Sequence, residues 1–226
     1  MRVYSVKVKW QFNDCWPVIS WSSNDYYQRP KALYYFVKKA YKPVILSIEK
    51  NEDSLRLYFI SDKQNTLPAK LTVKLTDFKG KQQETKTLNV NIPPASSKIF
   101  LTFSIDSLLK NYIPEETVLN IQLKHDSLLL DEHNYYFTKP ANLKLPAQNI
   151  SVKAKAVSGG YEITLTSGQL AKNVELSVDA EGFFDDNFFD LLPGETKTVR
   201  FTTGATINDL SRQLKTRTLN KIRNRH

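Results

Sequence analysis

The sequence of 226 residues has little cysteine and little histidine. Its single cysteine, Cys15, excludes an internal disulfide framework. The three histidines, His125, His133 and His226, lie far from Cys15 along the chain, so no Cys–His nucleophilic pair is indicated. A thiol followed by Trp-Pro is expected to be buried and inert. The sequence also has no glycine-rich phosphate loop of the GxGxxG or GxxxxGK[ST] type.

Long apolar runs are missing as well. No uninterrupted run approaches about 18 residues, so we expect no membrane span. No basic start is followed by an apolar stretch, so we expect no signal peptide. The apolar content of 41% and the charged content of 24% are ordinary for a globular chain.

The net charge of +9 raises the question of nucleic-acid binding. Most lysines are spread thinly along the predicted strands, which is typical of a solvated strand face. Basic residues are concentrated only near the end of the sequence. They are Arg212, Lys215, Arg217, Lys221, Arg223 and Arg225. We therefore expect no specific nucleic-acid partner, and non-specific polyanion binding stays open as an alternative.

Aromatic residues are concentrated in residues 10–43, which contain all three tryptophans and the single cysteine. Before Pro30 the pattern predicts irregular backbone. After Pro30, which suits the first turn of a helix, apolar residues recur at steps of three and four. We predict a helix here that ends before Lys42-Pro43.

The stretches WQFNDCWPVISW, DYY and RPKALYYFVKKAYKPV in this region resemble the end of the catalytic barrel of β-mannosidases. The stretch GFFDDNFFDLLPGETKTVRF, at residues 182–201, is similar to the end of the C-terminal sandwich in the same enzymes. These are retaining glycoside hydrolases of the family that also contains β-galactosidases and β-glucuronidases. The resemblance implies that residues 1–42 are the last strand, active-site loop and last helix of a (β/α)8 barrel, with immunoglobulin-like sandwiches after it.

The resemblance also implies a sugar site. It puts Trp10 at the floor of the subsite, where an aromatic face stacks on a pyranose ring, and it puts Asn13, Asp14 and Trp16 in the surrounding loop. For Trp21 we expect packing between barrel and sandwich. The implied partners are a β-mannoside in the intact parent and the remainder of the barrel, and the implied compartment of the parent is periplasmic, secreted or lysosomal.

The two catalytic carboxyl groups are missing from this region. A retaining glycosidase needs a nucleophile and an acid/base about 5–5.5 Å apart, and the resemblance puts both glutamates on earlier barrel strands. No glutamate precedes Glu49 in this chain. A complete barrel needs about 250 residues. We therefore expect no catalytic residue in this chain, and we expect the chain alone to be inactive.

Alternating apolar residues predict strands along most of the chain. Residues 2–12 form one predicted strand. In residues 43–140, predicted strands lie at 44–49, 54–61, 71–77, 85–92, 98–104, 117–125 and 128–137. Seven short strands separated by turns predict an immunoglobulin-like sandwich. Asp106 is predicted to cap a helical turn.

A second immunoglobulin-like sandwich is predicted over residues 146–220, with a basic tail at 221–226. Its predicted strands lie at 150–157, 161–167, 174–180 and 196–203, followed by a short helix at 207–214 and a closing strand at 214–219. Residues 182–193 are interpreted as a loop whose phenylalanines plug the sandwich while its acids face water. A calcium site there is the alternative.

These patterns predict a mainly β chain with two immunoglobulin-like sandwiches after a barrel remnant. The hairpin with His125 and His133 offers too few metal ligands, so we expect no metal site and no cofactor. The function indicated is that of the C-terminal part of a β-mannosidase-like glycoside hydrolase, which cleaves terminal β-mannosides. The alternative is a stand-alone carbohydrate-binding or structural β-sandwich module.

Overall fold

The computed structural model describes residues 11–221 in full and the backbone of residues 222 and 223. The predicted strand at residues 2–12 falls almost entirely outside the described residues, and Gln11 and Phe12 are not in a strand. The chain divides into two compact units, with one division between Lys144 and Leu145. The expected mainly β fold is confirmed.

The aromatic segment before Pro30 has little regular structure, as its sequence predicts. Isolated bridges join Asn13 to Asn24 and Asn24 to Pro30. The helix predicted after Pro30 is present as α1, Ala32–Ala40. Proline close to the start of α1 needs no intrahelical N–H partner, and Lys38 and Lys39 in its last turn complement the helix dipole.

The first unit contains seven strands, as the alternation predicts. They are β1 (Val44–Asn51), β2 (Ser54–Ser61), β3 (Leu67–Asp77), β4 (Gln83–Ile92), β5 (Ser96–Ser104), β6 (Thr117–His125) and β7 (Leu128–Tyr136). They form two sheets with the orders β1-β2-β5 and β4-β3-β6-β7, and all neighbouring strands are antiparallel. Side chains from both sheets, such as Leu57 and Ile121, share one buried core, so the unit is a β-sandwich.

A short helix, α2 (Ile105–Leu109), follows β5. The prediction that Asp106 caps it is wrong, because Asp106 lies inside the first turn. The N-cap is Ser104, whose side-chain oxygen accepts a hydrogen bond from the Ser107 N–H. A serine hydroxyl in extended backbone reaches the third residue after it, which is the usual capping geometry.

The second unit has seven strands and two short helices. The strands are β8 (Ile150–Val157), β9 (Gly160–Ser167), β10 (Ala171–Ser177), β11 (Phe183–Phe184), β12 (Phe189–Leu191), β13 (Thr196–Thr202) and β14 (Lys215–Arg217). The helices are α3 (Leu210–Gln213) and α4 (Leu219–Arg223). The sheet orders are β11-β13-β9-β8 and β12-β10-β14. Residues 11–37, and therefore most of the aromatic segment and of α1, belong to this unit as well.

Three elements of the second unit differ from expectation. Residues 182–193 were expected to be a loop, but they include β11 and β12, each only two or three residues long. The predicted strand at 174–180 begins and ends three residues earlier, as β10. The helix at 207–214 shrinks to one turn because Asp209, its N-cap, is in left-handed backbone.

Candidate functional site

The aromatic segment is held together by one buried carboxylate. Asp14 is only 2% exposed. Its Oδ1 accepts a hydrogen bond from the Ser20 hydroxyl, and its Oδ2 accepts one from the Ser22 hydroxyl at 2.8 Å. The Lys31 ammonium donates to Oδ2 at 2.9 Å and to the Ser22 hydroxyl oxygen at 2.8 Å. A buried charge is tolerated when it is paired and hydrogen-bonded in this way.

Backbone hydrogen bonds close the same loop. The Asn24 N–H donates to the Phe12 carbonyl at 2.9 Å, and the Ser23 hydroxyl donates to that carbonyl at 2.8 Å. The Lys31 N–H donates to the Ser23 carbonyl at 2.9 Å. Residues 12–31 therefore form a closed loop around Asp14, and we call this stretch the aromatic loop.

Hydrogen bonding keeps Asp14 ionised. The Ser20 hydroxyl, followed by the Lys31 ammonium, lowers the pKa of Asp14 from 3.8 to about 2, against the opposing effect of burial. The carboxylate is therefore charged at neutral pH.

The predicted site residues fall into three groups. Trp10 lies outside the described residues. Asn13 and Trp16 lie on the outside of the aromatic loop, where Trp16 is 66% exposed and the Asn13 amide donates to the Asp14 carbonyl at 3.3 Å. Asp14 lies inside, with both carboxylate oxygens already accepting hydrogen bonds. The predicted position of Asp14 in the loop around a sugar subsite stays a prediction, and the geometry gives Asp14 a second role in shaping the aromatic loop.

Sequence reasoning missed Ser20, Ser22 and Lys31. None of the three carried a recognisable pattern. An aspartate in an aromatic stretch could have signalled a need for a nearby cation, but spacing alone cannot choose between Arg29 and Lys31. In the structure Arg29 pairs with Asp25 instead, at 2.6 Å.

Several apolar side chains of the aromatic loop face outward. Trp21, for which packing between barrel and sandwich was expected, is 71% exposed, and that packing stays a prediction. Cys15 was expected to be buried and is exposed. The other strongly exposed residues of the loop include Phe12, Ile19 and Tyr27. An open cleft of about 450 Å³ lies beside them, lined by Pro17, Val18, Ile19, Asp25, Tyr26, Tyr27 and Arg29.

Helix α1 is attached to the second unit through Tyr35. This tyrosine is 3% exposed, and its hydroxyl donates to the Phe184 carbonyl at 3.2 Å. Burial raises the pKa of the Tyr35 hydroxyl well above its ordinary value. Its ring lies near the rings of Phe183 and Phe188, with centroids 6.5 and 5.9 Å away.

The acids of residues 182–193 have protein partners. Asp186 pairs with Lys197 at 2.8 Å, and Asp185 accepts a hydrogen bond from the Arg200 N–H. Asp190 pairs with Lys172 at 3.3 Å, and both side chains are largely buried, so not all of these acids face water as expected. Phe184 and Phe189 are buried, as expected for phenylalanines that plug the end of the sandwich. Within residues 11–221 no three His, Cys, Asp or Glu side chains are grouped closely enough to hold a metal ion.

Among the described helices, none combines the length and the apolar character that a membrane crossing requires.

Two family models match the chain. The model described as Mannosidase Ig/CBM-like domain matches residues 53–142. The Ig_mannosidase model, described as an Ig-fold domain, matches residues 145–222. The expected immunoglobulin-like sandwiches are therefore confirmed, whereas the barrel remnant in residues 1–42 stays a prediction.

Known β-mannosidases are similar to this chain in sequence. The chain is 27% identical to β-mannosidase A of Aspergillus oryzae over 211 residues, which are 85% of this chain and 23% of that protein. It is 29% identical to β-mannosidase of Capra hircus over 200 residues, again 85% of this chain and 23% of the relative.

Solved structures add the three-dimensional comparison. The β-D-mannosidase of Dictyoglomus thermophilum is similar with a TM-score of 0.81 and 29% identity, covering 93% of this chain and 26% of that one. An exo-chitosanase of Amycolatopsis orientalis is similar in fold, with a TM-score of 0.56 and 19% identity over 92% of this chain and 30% of the other.

The chain spans about a quarter of the length of the relatives that it matches, 23% of the first relative and 26% of the β-D-mannosidase structure. It corresponds to a partial region of those proteins and carries two of their immunoglobulin-like domains. By these matches the chain is a β-mannosidase-like fragment that carries two immunoglobulin-like mannosidase domains.

Proposed function

We propose that this chain is the supporting end of an enzyme that hydrolyses terminal β-mannosides. In this proposal the aromatic loop and α1 are the end of a catalytic barrel, and the loop forms one wall of the sugar subsite. The two immunoglobulin-like domains support that wall. Trp10 would stack on the sugar ring, and Asn13, Asp14 and Trp16 would surround it.

The single observation that carries the proposal is the construction of the aromatic loop. An exposed tryptophan, Trp16, is presented by a loop whose centre is a buried, charge-paired aspartate. Trp16 is one of several exposed apolar side chains of this loop, with Phe12 and Trp21 among the others, and a patch of exposed apolar side chains marks an interaction site. Aromatic faces are suitable partners for the apolar face of a pyranose ring, and a loop fixed by buried hydrogen bonds reduces the entropy lost on binding.

The proposal assigns no catalytic residue to this chain. Retaining hydrolysis requires two carboxyl groups about 5–5.5 Å apart. The two acids of the aromatic loop are Asp14, which is enclosed by its own network, and Asp25, whose two oxygens accept hydrogen bonds from Arg29. Neither of them is available as a nucleophile or as a proton donor.

An assay of the 226-residue chain on a chromogenic β-mannoside tests this. We expect no release of chromophore above the blank at any pH. Turnover that increases in proportion to protein concentration, and that persists in preparations purified by different routes, would refute the assignment of both carboxyl groups to another part of the protein.

A second candidate function is carbohydrate binding by the chain on its own, which the exposure of Trp16 and Trp21 favours. Affinity electrophoresis in mannan distinguishes the two functions. Retardation of the chain that is lost in Trp16→Ala would favour a stand-alone binding module. Migration that is the same with and without mannan would favour the supporting role.

A further inference from the structure

We propose that the phenylalanine-rich segment of the second immunoglobulin-like domain, residues 182–189, positions the aromatic loop, and that Tyr35 is the positioning residue between them. All the residues involved belong to the second unit. The relevance of the positioning to a sugar site rests on the proposed function above. The physical coupling between the segment and the aromatic loop does not rest on the proposed function, and it can be tested separately.

The coupling begins at Asn187, which is 5% exposed. Its side-chain oxygen accepts hydrogen bonds from the N–H groups of Leu176 and Phe188 at 2.8 and 2.9 Å, and its amide donates to the Leu176 carbonyl at 2.9 Å. Asn187 thereby fastens the segment to β10. Phe188, the next residue, has a φ of +55°, which a bulky residue adopts only when its surroundings impose it.

The second step is the contact between this segment and α1. The ring of Phe188 lies 5.9 Å from that of Tyr35, and the ring of Phe183 lies edge-on to Tyr34 at 5.8 Å. The Tyr35 hydroxyl donates to the Phe184 carbonyl. Two adjacent tyrosines of α1 therefore contact one short stretch of chain, and one of them is fixed to its backbone by a hydrogen bond.

The third step leads from α1 to the aromatic loop. Lys31 immediately precedes α1, which begins at Ala32. The Tyr34 N–H donates to the Lys31 carbonyl at 3.0 Å, so the backbone of Lys31 is hydrogen-bonded to the first turn of α1. The Lys31 ammonium then reaches Asp14 and Ser22 at the centre of the loop. The position of α1 thus fixes the position of the cation that closes the aromatic loop around Asp14.

Cys15 provides a probe for this coupling. It is the only cysteine of the chain, it is exposed, and it lies between Asp14 and Trp16. A nitroxide attached to Cys15 reports the local motion of the aromatic loop in its electron paramagnetic resonance spectrum, with no other labelling site.

The experiment uses the full chain carrying this label. We expect a motionally restricted spectrum for the chain without substitutions and a predominantly mobile spectrum for Tyr35→Ala and for Phe188→Ala. Tyr35→Phe keeps the ring contacts and should stay close to the unsubstituted chain. Tyr161→Ala is the control, because Tyr161 is another tyrosine of the second unit, half-buried in this case, and its hydroxyl bonds the backbone of Ile207 instead.

The positioning proposal is overturned if Phe188→Ala is folded by circular dichroism and its label stays restricted. It is also overturned if Tyr161→Ala mobilises the label as much as Tyr35→Ala does, because the effect would then be general loosening. Since Phe188 is only half-buried, its variant keeps the test valid even if Tyr35→Ala fails to fold.

A second measurement on the same labelled chain separates this inference from the proposed function. Methyl β-mannoside is titrated into the chain, and the nitroxide spectrum is recorded. A spectrum that responds to sugar in the unsubstituted chain and not in Tyr35→Ala supports the positioning and favours carbohydrate binding by the chain on its own. A label that responds to Tyr35→Ala but never to sugar supports the positioning and favours the supporting role.

Discussion

Asp14 shows how a single carboxylate can organise a stretch of irregular backbone. Its partners come from residues six, eight and seventeen positions later in the chain, so one side chain joins the start, the middle and the end of the aromatic loop. Local side-chain hydrogen bonds of this kind replace the ladders that a helix or strand would supply.

The order of the effects on Asp14 gives a residue-scale test. The Ser20 hydrogen bond is the largest cause of the lowered pKa and the Ser22 hydrogen bond is a smaller one. We expect Ser20→Ala to raise the pKa of Asp14 from about 2 towards 3.8 by more than Ser22→Ala does. Carboxyl carbon NMR titration measures this directly. Equal shifts in the two matched variants would contradict the geometry.

The same shift predicts the direction of a pH dependence. The folded pKa of Asp14 lies below its ordinary value of 3.8, so its contribution to stability is fully present above that pH and is lost as the pH falls through about 2. The nitroxide label on Cys15 should therefore become mobile as the pH falls from 3.8 to about 2. Asp14→Asn should remove this step, because no ionisation remains at that position.

Asp131 is a second carboxylate with a structural role. It is buried, its Oδ2 accepts the Leu46 N–H at 2.9 Å, and its Oδ1 pairs with Lys42 at 2.9 Å. Among the described strands β1 lies at the edge of its sheet, and its Leu46 N–H donates to a side chain and not to a neighbouring strand. Asp131 therefore satisfies a backbone donor that the sheet itself leaves open.

We expect Asp131→Ala to lower the free energy of unfolding by about 1–3 kcal/mol, the cost of a buried donor without an acceptor. Chemical denaturation followed by fluorescence measures this. Asp106→Ala is the control, since Asp106 is exposed and should change stability by less than about 0.5 kcal/mol. Similar losses in both variants would show that the Leu46 hydrogen bond contributes nothing.

At the scale of elements, the hairpin between β8 and β9 depends on glycine. Gly160 has a φ of +149°, and a Cβ built there would lie 2.0 Å from the Phe201 carbonyl oxygen. Since β9 pairs with β13 at this point, neither the turn nor the neighbouring strand has room for a side chain. The sequence signal Ser-Gly-Gly predicts the turn but not the close approach.

We expect Gly160→Ala to lower the free energy of unfolding by more than about 4 kcal/mol, a loss seen only for changes that the structure cannot accommodate. Gly194→Ala is the matched control, because its φ is +74° but no atom lies within 4 Å of the built Cβ. Gly194→Ala should lower the free energy of unfolding by about 1–2 kcal/mol, because only its backbone conformation is strained. Thermal unfolding of both variants tests the difference, and equal costs would mean that the contact with Phe201 relaxes freely.

The strands of the chain differ in how well their sequences predict them. Alternation predicts both bounds of β2 and β6, whereas β3, although longer, begins at Leu67 and not at the predicted residue 71. β11 and β12 could not be predicted, because two or three residues contain no period and their register depends on partners distant in sequence. Ser104 was missed as a cap because Asp106 is an equally good capping residue, and only backbone geometry separates them.

The candidate site was predictable only as a region. Composition and family resemblance single out residues 10–43, and the resemblance puts Asn13 and Trp16 in the loop around a sugar subsite. They cannot reveal that Lys31 closes the loop, since this depends on the turn between Asp25 and Arg29 and on the direction in which α1 begins. The contact between Tyr35 and Phe184 joins residues 149 positions apart, and no local pattern records it.

At the scale of the whole molecule, the chain combines ordinary sandwiches with an aromatic loop that no sandwich needs. Each immunoglobulin-like domain has its own buried core, and neither core includes Trp16 or Trp21. We therefore assign stability to the sandwiches. We propose that the aromatic loop contacts the sugar and that another part of the parent protein supplies the reacting carboxyl groups.

A chimera tests that division of roles most directly. The region of the Dictyoglomus thermophilum β-D-mannosidase that matches this chain would be replaced by residues 1–226, and kcat/KM for a chromogenic β-mannoside would be compared with the unaltered enzyme. We expect a folded, active chimera in which Trp16→Ala lowers kcat/KM by about 10-fold or more and Trp21→Ala changes it much less. A folded chimera without activity, or one indifferent to Trp16→Ala, would contradict the account.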